Sequence, residues 1–319
     1  MPEQGAVQHT ESDPHAEPRF HWHPFEAFVS PARAGRRQLW LVAIGIVSVY
    51  MATMLGGLVL ELAVRFFPAF FTASPEALLF TFLVRSLGAI SFGWLALIFI
   101  APRLHQRSFI SLFGEAGRFW RGFTAGALLC VLLVVFAEAA LLAYRGGAFW
   151  TPVPQMEHWW WFAASVIVLV CLQASVEEVV FRGYLLQQLA ARFRSPILWA
   201  VAPSLFFGAI HYAPNTFASA DSVNLARLWV ISAALFGLFA TYLTWRTGSV
   251  GMAVGFHIVN NWFALLVLDQ LGSRLERLAL FKGPGLGAVE MVGMFAIYIA
   301  VTLYWLERPQ SWLRRWLQV

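Results

Sequence analysis

The chain is short of charge. Asp, Glu, Lys and Arg together make up 12% of its 319 residues, against about a quarter in soluble domains. So few polar groups cannot cover a water-facing globule, which excludes a soluble enzyme, a nucleic-acid binder and a disordered scaffold. Lysine is nearly missing: Lys282 is the single one. The net charge of +5 therefore rests on arginines lying between apolar runs, where positive charge orients a membrane protein and does not signal a nucleic-acid partner. The two cysteines, Cys130 and Cys171, both fall inside apolar runs. That excludes a disulfide framework or a thiolate metal site and leaves them as packing residues. Three protease signatures are absent too. No HExxH occurs for a zinc protease, and no GxSG turn lies in an apolar run. The three aspartates (Asp13, Asp221 and Asp269) sit outside the runs or at their ends, so no membrane-embedded aspartyl pair exists.

Apolar sequence is what the chain has in abundance: 59% of residues are hydrophobic and the mean hydropathy is +0.66. Eight runs approach the ~20 residues that span a bilayer: 39–67, 77–101, 122–144, 159–189, 197–212, 228–245, 250–268 and 287–306. Backbone groups in lipid must bond within their own segment, so each run predicts a helix. The fold class is therefore all-α, a polytopic membrane bundle of about eight transmembrane helices. The fourth run is too long for a simple span and the fifth is short. Residues 1–37 are polar and lack the basic start and apolar core of a cleaved signal. They predict a largely disordered cytosolic tail ahead of a transmembrane domain over 38–306 and a short cytosolic or interfacial tail over 307–319. Basic residues in the connections split thirteen to six between the two sides. The richer side carries Arg33, Arg103, Arg107, Arg194, Arg246 and Arg314 among others, and puts both termini in the cytosol. Trp150, Trp159–Trp161, Trp245 and Trp305 stand at run ends, where indoles favour the interface.

A charge near the bilayer centre costs at least ~2.5–3.5 kcal/mol, so each one needs a reason. In the second half of the chain these groups fall into three short clusters. Glu177, Glu178 and Arg182 break the fourth run, His211 ends the fifth, and His257 with Asn260 and Asn261 lies in the seventh. Counting ~1.5 Å per residue from the turn at Arg194-Ser195-Pro196 puts Glu177 and His211 at the same level of an antiparallel hairpin. His257 reaches that level if the hairpin projects ~10 Å further into the cytosol, which the overlong fourth run allows. Glu178 and Arg182 are at i, i+4 with the acid first, the favourable order for a helical ion pair. Glu177 points ~100° away and is left available, as a general base must be. His257 and Asn261, again i, i+4, aim donors at one spot, which suits a developing oxyanion.

These residues resemble the CAAX-protease and bacteriocin-processing (CPBP, or Abi) family of intramembrane glutamate proteases. Its EExxxR motif matches Glu177-Glu178-Val179-Val180-Phe181-Arg182, FxxxH matches Phe207-Gly208-Ala209-Ile210-His211, and HxxxN matches His257-Ile258-Val259-Asn260-Asn261, preceded by Gly248-Ser249-Val250. The likeness covers about 170–265. It implies an intramembrane endopeptidase of the bacterial inner membrane, without a cofactor, acting on a membrane-embedded or lipidated protein or peptide. Glu177 and His211 would activate water, His257 and Asn261 would hold the oxyanion, and Glu178 with Arg182 would support the helix.

Other readings stand beside this one. A metal variant would place zinc on Glu177, His211 and His257, a two-histidine, one-carboxylate set. A non-proteolytic scaffold or immunity protein would keep the fold, and a proton-coupled transporter would also bury Glu and His, though it should usually show repeats. Glu61 with Arg65, and Arg85 with Glu138, read as a structural charge network near the outer level. The Gly-rich 283–287 stretch follows no strand and reads as a loop.

Overall fold

The structure is a computed structural model describing residues 23–72, 74–147, 150–154, 157–216, 221–270 and 275–317. Its helices are α1 (His23–Ala34), α2 (Leu39–Phe66), α3 (Ala77–Leu104), α4 (Ala116–Arg145) and α5 (Trp159–Ala190), then α6 (Ile197–Ala209), α7 (Ser222–Thr247), α8 (Gly251–Val267), α9 (Ala288–Glu307) and α10 (Trp312–Leu317). All eight expected apolar runs are helical. Among the described residues, however, six are long and apolar enough to cross a membrane, while α6 and α8 are shorter. The shortening of α6 has a local cause. Beyond Ala209 the chain reaches Ala213-Pro214, and a proline disfavours helical backbone in the residue before it. The polytopic helical bundle is as expected, and the exact count of spans is the correction.

Burial ranks the helices. In its most apolar window α5 has 56% of residues buried, against 17% in α2. Helix α5 is thus the central element, whereas α2 turns Trp40, Val47, Tyr50, Met51 and Leu58 outward, as a lipid-facing helix should. At one end of the bundle the connections form a small cap. Strands β1 (Thr151–Pro152) and β2 (Leu268–Asp269) flank β3 (Phe281–Lys282), with β1 antiparallel and β2 parallel to β3. The Trp159 indole at the start of α5 donates to Leu278 O at 2.8 Å, fastening the cap to the central helix.

Part of the expected tail is structured. Residues 23–34 form α1, with Phe25, Phe28, Val29 and Ala32 buried. Their i, i+3, i+4, i+7 spacing is an amphipathic stripe, which packs on the end of α5 and on α7; Phe25 meets Trp199 at 5.1 Å between ring centroids. The expectation of disorder therefore fails for this stretch, and for residues 1–22 it lies outside the described residues. At the other terminus α10 buries Leu313 and Leu317 and leaves Trp312 and Trp316 more exposed.

Two glycine pairs set the position of α8. Gly122 and Gly126 on α4 face Gly251 and Gly255 on α8, each pair spaced i, i+4. A Cβ on Gly126 would lie 2.0 Å from Met252 O, and one on Gly255 would lie 2.1 Å from Phe123 O. The backbones touch, the packing that small residues permit between membrane helices. His257, two residues past Gly255, lies ~200° around the helix and so faces away from α4 toward α5. Helix α8 also has a defined start. Gly248 ends α7 with φ of 64°, and the Ser249 hydroxyl accepts from Gly251 N at 3.1 Å while donating to Phe113 O at 2.9 Å.

Replacing Gly255 by Val should drive the backbones apart, a packing fault of about 1–3 kcal/mol. Thermal unfolding in detergent should show a lower midpoint for Gly255→Val and little change for Gly293→Ala, where an added Cβ meets nothing within 4 Å. Equal midpoints for the two variants would contradict the contact.

Candidate functional site

The site is built on α5 where the helix changes pitch. Trp159–Glu178 is α-helical and Val179–Leu185 is π-helical; such wider turns are frequent at functional sites. The pitch changes directly after Glu177 and Glu178. Both carboxylates are buried, Glu177 8% and Glu178 0% exposed.

Glu178 is the hub. Its Oε1 accepts from Arg182 Nη1 at 3.1 Å and lies 2.7 Å from His257 Nδ1. Arg182, 1% exposed, also donates through Nη2 to Gly237 O on α7 at 3.1 Å. Its guanidinium stacks on the Phe207 ring, 4.6 Å from the centroid, and lies 5.9 Å from that of Phe236, so aromatic faces add to the stabilisation of the buried cation. One acid thus ties α5, α7 and α8 together. The expected Glu178–Arg182 pair is present; its third member, His257, was not anticipated. Nothing in i, i+4 arithmetic reports which carboxylate a distant imidazole will choose.

Glu177 is left outside that knot. Its Oε2 lies 3.8 Å from His257 Nε2 and has no hydrogen-bond partner. With Nδ1 held by Glu178, the other nitrogen of His257 is the one that faces Glu177. The remaining candidates stand further off. His211 lies in the turn just after α6, half-buried, with Nδ1 2.6 Å from Phe207 O. Its ring is 4.5 Å from that of Phe207 and 5.7 Å from that of Trp229. Phe207 in turn is 6.3 Å from His257 by ring centroids, so the motif's aromatic residue bridges the two imidazoles. Asn261 accepts from Asn260 Nδ2 at 3.3 Å. The structure therefore gathers Glu177, Glu178, Arg182 and His257, sets His211 across the Phe207 ring from His257, and shows Asn261 bonded to Asn260.

Among the described residues no group of three or more His, Cys, Asp or Glu stands together as metal ligands; the Nδ1 atoms of both histidines have partners, which leaves their Nε2 atoms as the ones a metal would use.

Charges away from the site are paired differently from expectation. Glu61 bonds Arg85 at 2.5 Å and not its helical neighbour Arg65. Glu138 accepts from Gln270 in the cap at 3.1 and 3.2 Å. Glu290 pairs with Arg145 at 2.5 Å. Cys130 and Cys171 are both free.

Fold and site together define an integral membrane helical protein with a buried carboxylate–imidazole centre. Residues 159–263 match the family model described as type II CAAX prenyl endopeptidase Rce1-like, which bears out the resemblance carried by the three motifs. A protein of Bacillus subtilis (strain 168) described as "Uncharacterized protein YyaK" is 26% identical over 186 residues, covering 58% of this chain and 59% of the relative. The chain thus spans about three-fifths of that relative's length. No solved structure matches.

Beneath the site a second polar cluster braces the π-helical turn. His105, just past α3, is fully buried, with Nδ1 2.7 Å from Arg36 O and Nε2 2.8 Å from the Tyr184 hydroxyl. Burial pushes its imidazole below the ordinary range. The Arg107 guanidinium bonds Gln187 Oε1 at 2.5 Å, and burial lowers its pKa to about 10. A histidine kept neutral by the fold titrates first in the unfolded chain, so its contribution is complete above the unfolded value near 6.5 and is lost as pH falls below it. Unfolding midpoints should accordingly fall from pH 6.5 to 5, and less steeply for His105→Gln. Parallel slopes would contradict a neutral His105.

Proposed function

We propose that the protein is an intramembrane endopeptidase that hydrolyses a peptide bond in a membrane-embedded or lipidated protein or peptide. The family match supports a protease of the CAAX type. The observation that carries the mechanism is the unequal state of the two adjacent acids: Glu178 is bound through Oε1 by Arg182 and His257, while Glu177 has only the 3.8 Å approach of His257 Nε2, although each acid keeps a buried Oε2 without a partner.

In this reading Glu177 takes a proton from water and His211, on the far side of Phe207, helps to orient that water. The hydroxide attacks the peptide carbonyl, and the proton passes from Glu177 to the departing amine, so that one water is consumed and a carboxyl and an amine are released. His257 and Asn261 donate to the tetrahedral oxyanion. With its Nδ1 engaged by Glu178, His257 uses Nε2 for this contact. No metal or cofactor takes part. The basic bias of the connections supports an orientation with both termini in the cytosol, in a bacterial inner membrane.

Loss of one oxyanion donor costs ~10²–10³ in kcat. Asn261→Ala should fall in that range, and His211→Ala should abolish cleavage with expression intact. Activity of the purified protein should survive chelators. A retained cellular phenotype in His211→Ala would favour a non-proteolytic scaffold, and chelator-sensitive turnover would favour a metal enzyme.

A further inference from the structure

Gln173 occupies the same strip of α5 as Glu177, four residues earlier and therefore ~6 Å along the helix. It is 5% exposed, and its Oε1 is buried with no hydrogen-bond partner. An amide carbonyl in that state is destabilising and calls for an explanation. A role in packing would be met better by Leu or Met, which bury no unpaired oxygen.

The level of Gln173 relates it to the reaction. Helices α5 and α8 run antiparallel: His257 meets Glu177 and Glu178, and the later Trp262 donates to the earlier Ile167 O at 3.3 Å. Four residues onward on α8 is therefore level with four residues back on α5, which sets Asn261 opposite Gln173. The orphan carbonyl sits one turn from the free carboxylate and level with the amide assigned to the oxyanion. Resting on the endopeptidase reading, we propose that Gln173 Oε1 accepts a backbone N–H of an extended peptide substrate, forming a subsite one helical turn from the scissile bond. An acceptor at that place reads the main chain and not the side chain. Every residue except proline supplies the N–H, so the subsite admits many sequences and rejects proline at a single position.

The test uses the full chain in detergent micelles and an internally quenched, farnesylated CAAX-type peptide, prepared as a series with one backbone amide N-methylated in each member. In the wild type, methylation at one position should raise KM about tenfold with kcat little changed. In Gln173→Met the unmodified peptide should show that higher KM, and the penalty at that position should vanish; Gln173→Leu provides a second variant should the first fail to fold. A merely structural role would lower stability or kcat and leave the positional penalty in place. The subsite is overturned if the penalty persists in the variants or if KM for the unmodified peptide is unchanged. If the wild type cleaves through Glu177 but is indifferent to Gln173, the subsite alone falls. If it cleaves no member of the series, the endopeptidase reading falls and the subsite with it.

Discussion

The constraint on which the rest depends is the buried carboxylate of Glu178. It is fully enclosed and held between a cation on its own helix and an imidazole on another. Removing one partner of such a group typically costs 3–5 kcal/mol, because the other charge is left buried and unpaired. That penalty fixes the rotation of α5, and through Arg182 and Gly237 it fixes α7 against it. The glycine contacts between α4 and α8 bring His257 to the same point from the other side. A helix pair held by backbone contact has little freedom to slide, so the imidazole arrives at a set level. What remains is Glu177, adjacent in sequence, turned ~100° away and not hydrogen-bonded by Arg182, whose bonds go to Glu178 and Gly237.

Much of this was legible from residue spacing. The apolar runs announced the helices because lipid leaves the backbone no alternative. The i, i+4 order of Glu178 and Arg182 announced their pair, and the scarcity of embedded charge directed attention to 177–182, 211 and 257–261. The hidden parts depend on three-dimensional choices. The attachment of His257 to Glu178 joins residues 79 positions apart, and no local pattern encodes it. The bridging place of Phe207 was hidden for the same reason, although its ring belongs to the second motif.

Two misjudgements have different causes. The stretch before the first membrane helix looked disordered because its acids, arginines and prolines dominated a composition-level view. Yet Phe25, Phe28, Val29 and Ala32 repeat with helical period, a signal that composition averages away. The shortness of α6 was expected, and only its last residues were misplaced, because hydropathy does not register where a helix stops; Pro214 just beyond does. The early end of α6 leaves His211 in a turn instead of on a helix, which accounts for its standing one ring away from the charged centre.

The division of labour between two neighbouring acids is the centre of the whole picture, and a side-by-side comparison of Glu177→Gln with Glu178→Gln addresses it most directly. Each variant would be assayed for peptide cleavage and for its unfolding midpoint in the same detergent. Glu177→Gln should keep the wild-type midpoint and lose turnover, whereas Glu178→Gln should lose stability because Arg182 and His257 are left without their anion. A stable, inactive Glu178→Gln beside an active Glu177→Gln would reverse the assignment and contradict it.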